Sequence, residues 1–145
     1  MSVLGDEMSK FEWDPSFSVG IKKYDDQHKV IIDYINKLRD SLPVKDNRDT
    51  VGEILTKMTE YTVSHFLDEE IELYRHNYPG YNAHKELHDK LISEIRNFQV
   101  SFRVGKVSSR KISIEIIAVL TEWLVNHILK VDKQYAGFLA SKGVK

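Results

Sequence analysis

Cysteine is absent from this 145-residue chain. That excludes disulfides, thiolate metal sites, iron–sulfur clusters and cysteine nucleophiles, so transition-metal chemistry must rest on histidine, carboxylate or tyrosine. Neither sign of charge is in excess: 21 Lys and Arg against 22 Asp and Glu leave a formal net charge of −1. A broad basic surface for nucleic acid or an anionic membrane is therefore not expected. No uninterrupted apolar run approaches the roughly 20 residues that span a bilayer, so membrane insertion is not expected either. The opening MSVLGDEMSK has no apolar stretch behind a basic one, which argues against a secretory signal and makes the cytoplasm the simplest location. Steady β alternation, internal repeats and low-complexity tracts are all missing. What is present is an ordinary globular balance, 41% hydrophobic and 30% charged, in a length that suits one domain with a real core.

The pattern is helical. Residues 1–20 read as an irregular arm carrying Phe11, Trp13, Pro15 and Phe17, with Pro15 and Gly20 opposing a continuous helix. Four amphipathic stretches follow. The first, 22–41, repeats His28, Ile31, Ile32, Ile35 and Leu38 at three- and four-residue steps, and Pro43 closes it. The second, 49–75, carries Val51, Ile54, Leu55, Met58, Tyr61, Thr62, His65, Glu69 and Leu73, and stops at Pro79-Gly80. The third, 81–103, carries His84, His88, Leu91, Ile95, Phe98 and Phe102; the fourth, 109–130, carries Ile112, Ile116, Ile117, Leu120, Trp123, Leu124, His127 and Ile128. A short terminal helix is expected over 134–140. Four such helices with short connections predict an all-α, antiparallel up-and-down bundle over residues 21–145, with the arm packed on it.

Five of the six histidines fall on the apolar stripes. A single inward histidine is usually a core residue bonded to a backbone carbonyl, but five in one small bundle serve packing poorly, because each buried imidazole costs free energy unless both nitrogens find partners. His65 and Glu69, like His84 and His88, are four apart and point the same way, about one turn along. In alternating antiparallel helices the start of the first, the end of the second, the start of the third and the end of the fourth lie at one end. His28, the His65/Glu69 pair, the His84/His88 pair and His127 thus converge at one level, as a buried metal site would require. Asp132 is five residues beyond His127, about 140° off its face on an α-helix. It reaches the site only if the helix ends or widens into a π-type turn; otherwise it is a solvated carboxylate or the cap of the terminal helix. Asp25, Asp26, Asp68 and Glu70 flank the stripes, as exposed or supporting groups, and His76 is expected at the surface.

The order His28, His65-Phe66-x-x-Glu69-Glu70, His84-x-x-x-His88, His127-Ile128-x-x-x-Asp132 resembles the haemerythrin family, in particular its bacterial members. The blocks FEWDPSFSVGI, YDDQHK, NYPGYNAHKELH and WLVNHILKVDKQY extend the likeness over nearly the whole chain. Leu73 departs from it, standing where bacterial members often have methionine. The resemblance implies two iron ions with a bridging oxo or hydroxo group: His84, His88 and His127 on one iron, His28 and His65 on the other, Glu69 and Asp132 bridging. If both irons are six-coordinate, these ligands and the bridge leave one position open on the two-histidine iron, where O2 would bind. Phe66, Trp123, Leu124 and Ile128 resemble the family's apolar O2 pocket, a dry setting that disfavours loss of charged superoxide. Tyr61 and Tyr135 are candidate hydrogen-bond donors nearby.

The resemblance therefore implies a non-enzymatic, reversible O2 carrier, store or scavenger, expected to be a monomer, with delivery to an O2-consuming enzyme as one use. An oxidase-type di-iron enzyme fits less well, since Glu-x-x-His, the motif of those sites, occurs nowhere in the chain. A zinc hydrolase fits worse, because zinc rarely takes seven protein ligands. A sensor of O2, NO or redox state acting through a partner is the other alternative; the tail GFLASKGVK looks too short for an output domain.

Overall fold

The structure is a computed structural model that describes residues 9–105 and 107–145. Residues 1–8 of the expected arm lie outside the described residues. Helices α1 (Lys22–Ser41), α2 (Arg48–Arg75), α3 (Tyr81–Val104) and α4 (Ser109–Asn126) are followed by a π-helical segment, His127–Asp132, and by α5 (Lys133–Ser141). Helix α1 packs on α2 and α4, and α3 packs on the same two, which closes an antiparallel ring. The expected inward stripes form its core, with Ile35, Leu38, Leu55, Met58, Leu91, Ile95, Ile112, Ile116 and Ile128 fully buried.

Local chemistry sets the ends. Ser108 caps α4, its hydroxyl accepting from the Lys111 N–H at 3.1 Å. Helix α3 ends on Gly105 at φ 76°, the left-handed geometry that glycine adopts without penalty. Away from the histidines, Asn47 ties three pieces together: its amide donates to the Ser41 carbonyl at 2.7 Å, and its carbonyl accepts from the Ser109 hydroxyl at 2.5 Å.

The described part of the arm lies on the bundle. The Phe11 N–H donates to Asn36 Oδ1 at 2.9 Å, and Asn36 Nδ2 donates back to the Phe11 carbonyl at 2.8 Å. Asp25 accepts from the Ser18 hydroxyl at 2.6 Å and the Val19 N–H at 2.9 Å, so this flanking acid pins the arm. A 3-10 turn, Pro15–Phe17, rests against the π segment.

Two expectations change. The fourth and terminal helices are not separate: the chain stays helical from Ser109 to Ser141, because the Lys133 N–H reaches back five residues to the Ile128 carbonyl and carries the helix through a wider turn. That helix also has a mean hydropathy of 1.6 over its most apolar window, apolar enough by length and composition to cross a membrane. A run-length criterion misses this because scattered polar residues interrupt it. In the bundle its apolar positions Ile112, Ile116, Leu120, Leu124 and Ile128 are core.

Candidate metal centre

The π segment settles the geometry of Asp132. Its wider turn swings position 132 back towards the face of His127, and Asp132 Oδ1 lies 3.0 Å from His127 Nε2. No side-chain capping bond holds Asp132 at the start of α5, and the residue is fully buried. The capping and solvated alternatives are thereby set aside.

All seven residues singled out in the sequence come together, none more than 4% exposed. Two groups of possible donors form, each with its atoms within 4.8 Å of one another: His84, His88, His127 and Asp132, and His28, His65 and Glu69. Asp132 links them, with Oδ1 3.2 Å from His84 Nε2 and Oδ2 3.3 Å from His28 Nε2. Glu69 Oε1 also faces both, 3.2 Å from His65 Nε2 and 3.5 Å from His88 Nε2.

These spacings suit metal binding. Two donors at right angles, each about 2.1 Å from one transition-metal ion, lie about 3 Å apart. The Nε2 atoms of His88 and His127 are 3.1 Å apart, although His88 already gives its Nδ1–H to Glu70 Oε2 at 2.8 Å. Its Nε2 is then a lone pair aimed at the shared space. Both ring nitrogens of His28 and His84, Glu69 Oε1 and both Asp132 oxygens are buried without a hydrogen-bond partner among the described residues. Buried polar atoms left in this way are costly. A cation between them removes that cost, so the donor set fits a dinuclear metal centre.

Charge coupling within the cluster is strong. Burial and the Asp132 charge push the Glu69 carboxyl up, but the His65 ring, its Nε2 3.2 Å from Oε1, outweighs them with the other imidazoles and holds it well below the ordinary range. Burial acts likewise on Asp132 and is outweighed by His127, His28 and His84. Burial opposes protonation of His84, yet the Asp132 and Glu69 carboxylates 3.2 and 4.0 Å away lift it to about 9. For His88 burial prevails and lowers the pKa. Tyr135 is fully buried and donates its O–H to Glu69 Oε2; burial, then the Glu69 charge, keeps that phenol protonated.

Aromatic rings wall the site. Phe66 stacks on His88 at 3.7 Å and 1°, and Trp123 stacks on His127 at 4.2 Å and 12°. Leu124 and Ile128 are buried, whereas Trp123 is half-buried. A groove of about 430 Å³ between α3 and α4, bordered by Leu87, Trp123, Asn126 and Val131, reaches the His127 ring. Tyr61 does not join the cluster: it packs on Tyr34, their ring centroids 6.1 Å apart. His76 is partly exposed, 3.3 Å from Glu72. Gln27 was not anticipated. Its Oε1 lies 2.5 Å from His65 Nδ1, and its amide donates to Asp68 Oδ2 at 2.7 Å.

Fold and site together define an antiparallel four-helix bundle with a buried cluster of histidines and carboxylates that could hold metal ions. Residues 19–139 match the hemerythrin HHE cation binding domain. The chain belongs to the haemerythrin family. It is 37% identical over 125 residues to the bacteriohemerythrin of Methylococcus capsulatus, covering 86% of this chain and 92% of the relative. It is 33% identical to hemerythrin subunit 1 of Golfingia vulgaris, covering 88% and 91%. Among solved structures, a wild-type hemerythrin crystal structure superposes with a TM-score of 0.81 at 34% identity, covering 91% of this chain and 99% of that one.

Proposed function

We propose that this protein binds O2 reversibly at a non-haem di-iron centre, without catalysing a reaction on a second substrate. His84, His88 and His127 would hold one iron and His28 and His65 the other, with Glu69 and Asp132 shared between them. The observation that carries this reading is the convergence of seven buried donors, five of them imidazoles, on two adjoining spaces. When bound, two ferrous ions would supply the electrons for reversible uptake of O2.

The chain's own residues set the conditions. Neutral imidazoles outnumber carboxylates, which favours the ferrous state that reversible binding needs. Phe66, Trp123, Leu124 and Ile128 keep water from the reacting side, so that charge separation and loss of superoxide are disfavoured. Tyr135 keeps its proton on the phenol oxygen and holds Glu69 in place through it. Bundle residues 21–145 act as one unit, a cytoplasmic monomer in this reading, with residues 9–20 of the arm as its cover. Storage, transport and delivery to an O2-consuming enzyme all use the same site.

The test is stoichiometric. Anaerobically loaded protein should hold two irons per chain and take up one O2 per pair, measured with an oxygen electrode, then release it under vacuum. Irreversible O2 consumption would contradict the reading.

A further inference from the structure

Two histidines of the cluster hand their outer N–H to different chemistry, one on each side. His88 Nδ1 donates to Glu70 Oε2 at 2.8 Å, a direct imidazole–carboxylate bond inside the protein, where Glu70 is 8% exposed. Lys85 is engaged with Asp89 at 2.8 Å, and among the described residues no Lys or Arg lies within ion-pair distance of Glu70. His65 Nδ1 donates instead to the neutral amide of Gln27, and the carboxylate comes one residue further out. Gln27 Nε2 donates to Asp68 Oδ2 at 2.7 Å, and Lys23 Nζ sits 3.4 Å from that same oxygen, at the surface.

The order of this chain is fixed by hydrogen-bond type. Asp68 can only accept, so it turns the Gln27 amide nitrogen towards itself and leaves the Gln27 carbonyl facing His65. A carbonyl can only accept, so His65 carries its proton on Nδ1 and aims the Nε2 lone pair inward, 3.2 Å from Glu69 Oε1. Glu70 sets the same tautomer on His88 by direct contact. The positioning is equal on both sides, but the charge is not. A carboxylate bonded to the outer N–H makes an imidazole a stronger donor to its metal. An amide fixes the ring without that gain, and the Asp68 charge behind it is further away, half-exposed and offset by Lys23.

We propose that Gln27 is a positioning residue that locks the tautomer of His65 while withholding negative charge from it, so that the two metal positions are electronically unequal and the Glu70-supported, three-histidine position more strongly favours ferric iron. This rests on the di-iron reading above. Residues that bind no metal thus add to the inequality of three against two histidines, and the relay from Lys23 through Asp68 and Gln27 has the task of keeping the two-histidine side more readily ferrous.

The experiment compares reduction midpoint potentials and iron content of the iron-loaded full chain, wild type against Glu70→Gln and against the pair Gln27→Glu with Asp68→Asn. Glu70→Gln keeps an acceptor for His88 and removes the charge, so the midpoint should shift positive. The paired change puts a carboxylate on His65 and an amide behind it, so the midpoint should shift negative. Both should retain two irons per chain, since each preserves the bond to the ring. Midpoints equal to wild type in two-iron variants would overturn the relay alone, and so would loss of iron from either variant. A wild-type chain that does not hold two irons would defeat the di-iron reading itself, and the relay with it.

Discussion

Asp132 Oδ1 and His127 Nε2 lie 3.0 Å apart although five residues separate them along one helix. An α-helix would turn them about 140° from each other; the π-helical segment His127–Asp132 brings them together and places Asp132 between the two groups of donors. Replacing it should therefore do more than remove one contact. In Asp132→Ala, His28, His84 and His127 all lose the carboxylate that lies among them, and the chain should hold fewer than two irons. The affinity loss should exceed the roughly 10–100-fold typical of a lost supporting bond. Metal analysis after gel filtration checks it; a full complement of two would contradict the assignment.

Leu124 tests the dry pocket. It is 3% exposed and follows Trp123 in the helix that carries His127. Leu124→Ser and Leu124→Ala both remove about the same volume and should cost about 2–5 kcal/mol, but only serine adds a hydroxyl that holds water. The oxygenated serine variant should autoxidise faster than the alanine variant, followed by optical decay. Equal rates would remove Leu124 from the pocket.

The other end of the bundle should be separable from the site. Leu55 is 1% exposed, beside the fully buried Val51 and Met58. Leu55→Ala should lower stability by about 2–5 kcal/mol while iron content stays at the wild-type value. Thermal unfolding with metal analysis checks both. Iron loss in a folded Leu55→Ala protein would show that the two ends are coupled.

The metal-free chain should show a definite pH window. His84 rises to about 9 from an ordinary 6.5, so the folded state holds a proton that the unfolded chain gives up. That stabilisation is full below about pH 6.5 and is lost as pH rises through about 9. Glu69 and Asp132 are depressed below ordinary values of 4.5 and 3.8. Their contribution is present above those values and is lost as pH falls towards the depressed pKa values. The melting temperature of metal-free protein should therefore fall between pH 7 and pH 10, and ferrous loading at pH 7 should release protons as His84 becomes a ligand. A melting temperature flat across that range, with no proton release, would contradict this coupling.

Much of this was legible in residue order because helical periodicity is local. The stop of α1 follows from Pro43, and the stop of α2 and start of α3 from Pro79-Gly80. The inward histidines are visible because they interrupt apolar stripes, and their common level follows from antiparallel order alone. Asp132 could be named but not placed, since a π turn depends on how the whole helix packs. Tyr61 shows the opposite failure: it lies on the α2 stripe but one turn from His65, at the level of Tyr34. Gln27 was invisible because it points sideways from α1, and only the docking of α2 brings Asp68 and His65 against it. Glu70 looked like a flanking acid, being next to Glu69 and about 100° round the helix; α3 supplies the His88 that gives it a partner.

The central claim is reversible O2 binding at two irons, and an absorption spectrum tests it most directly. Iron-loaded, reduced protein should be nearly colourless, develop a charge-transfer band on exposure to O2, and lose it again when O2 is removed, over repeated cycles. A band that fails to appear, or that gives way in one cycle to an oxidised form insensitive to O2 removal, would contradict it.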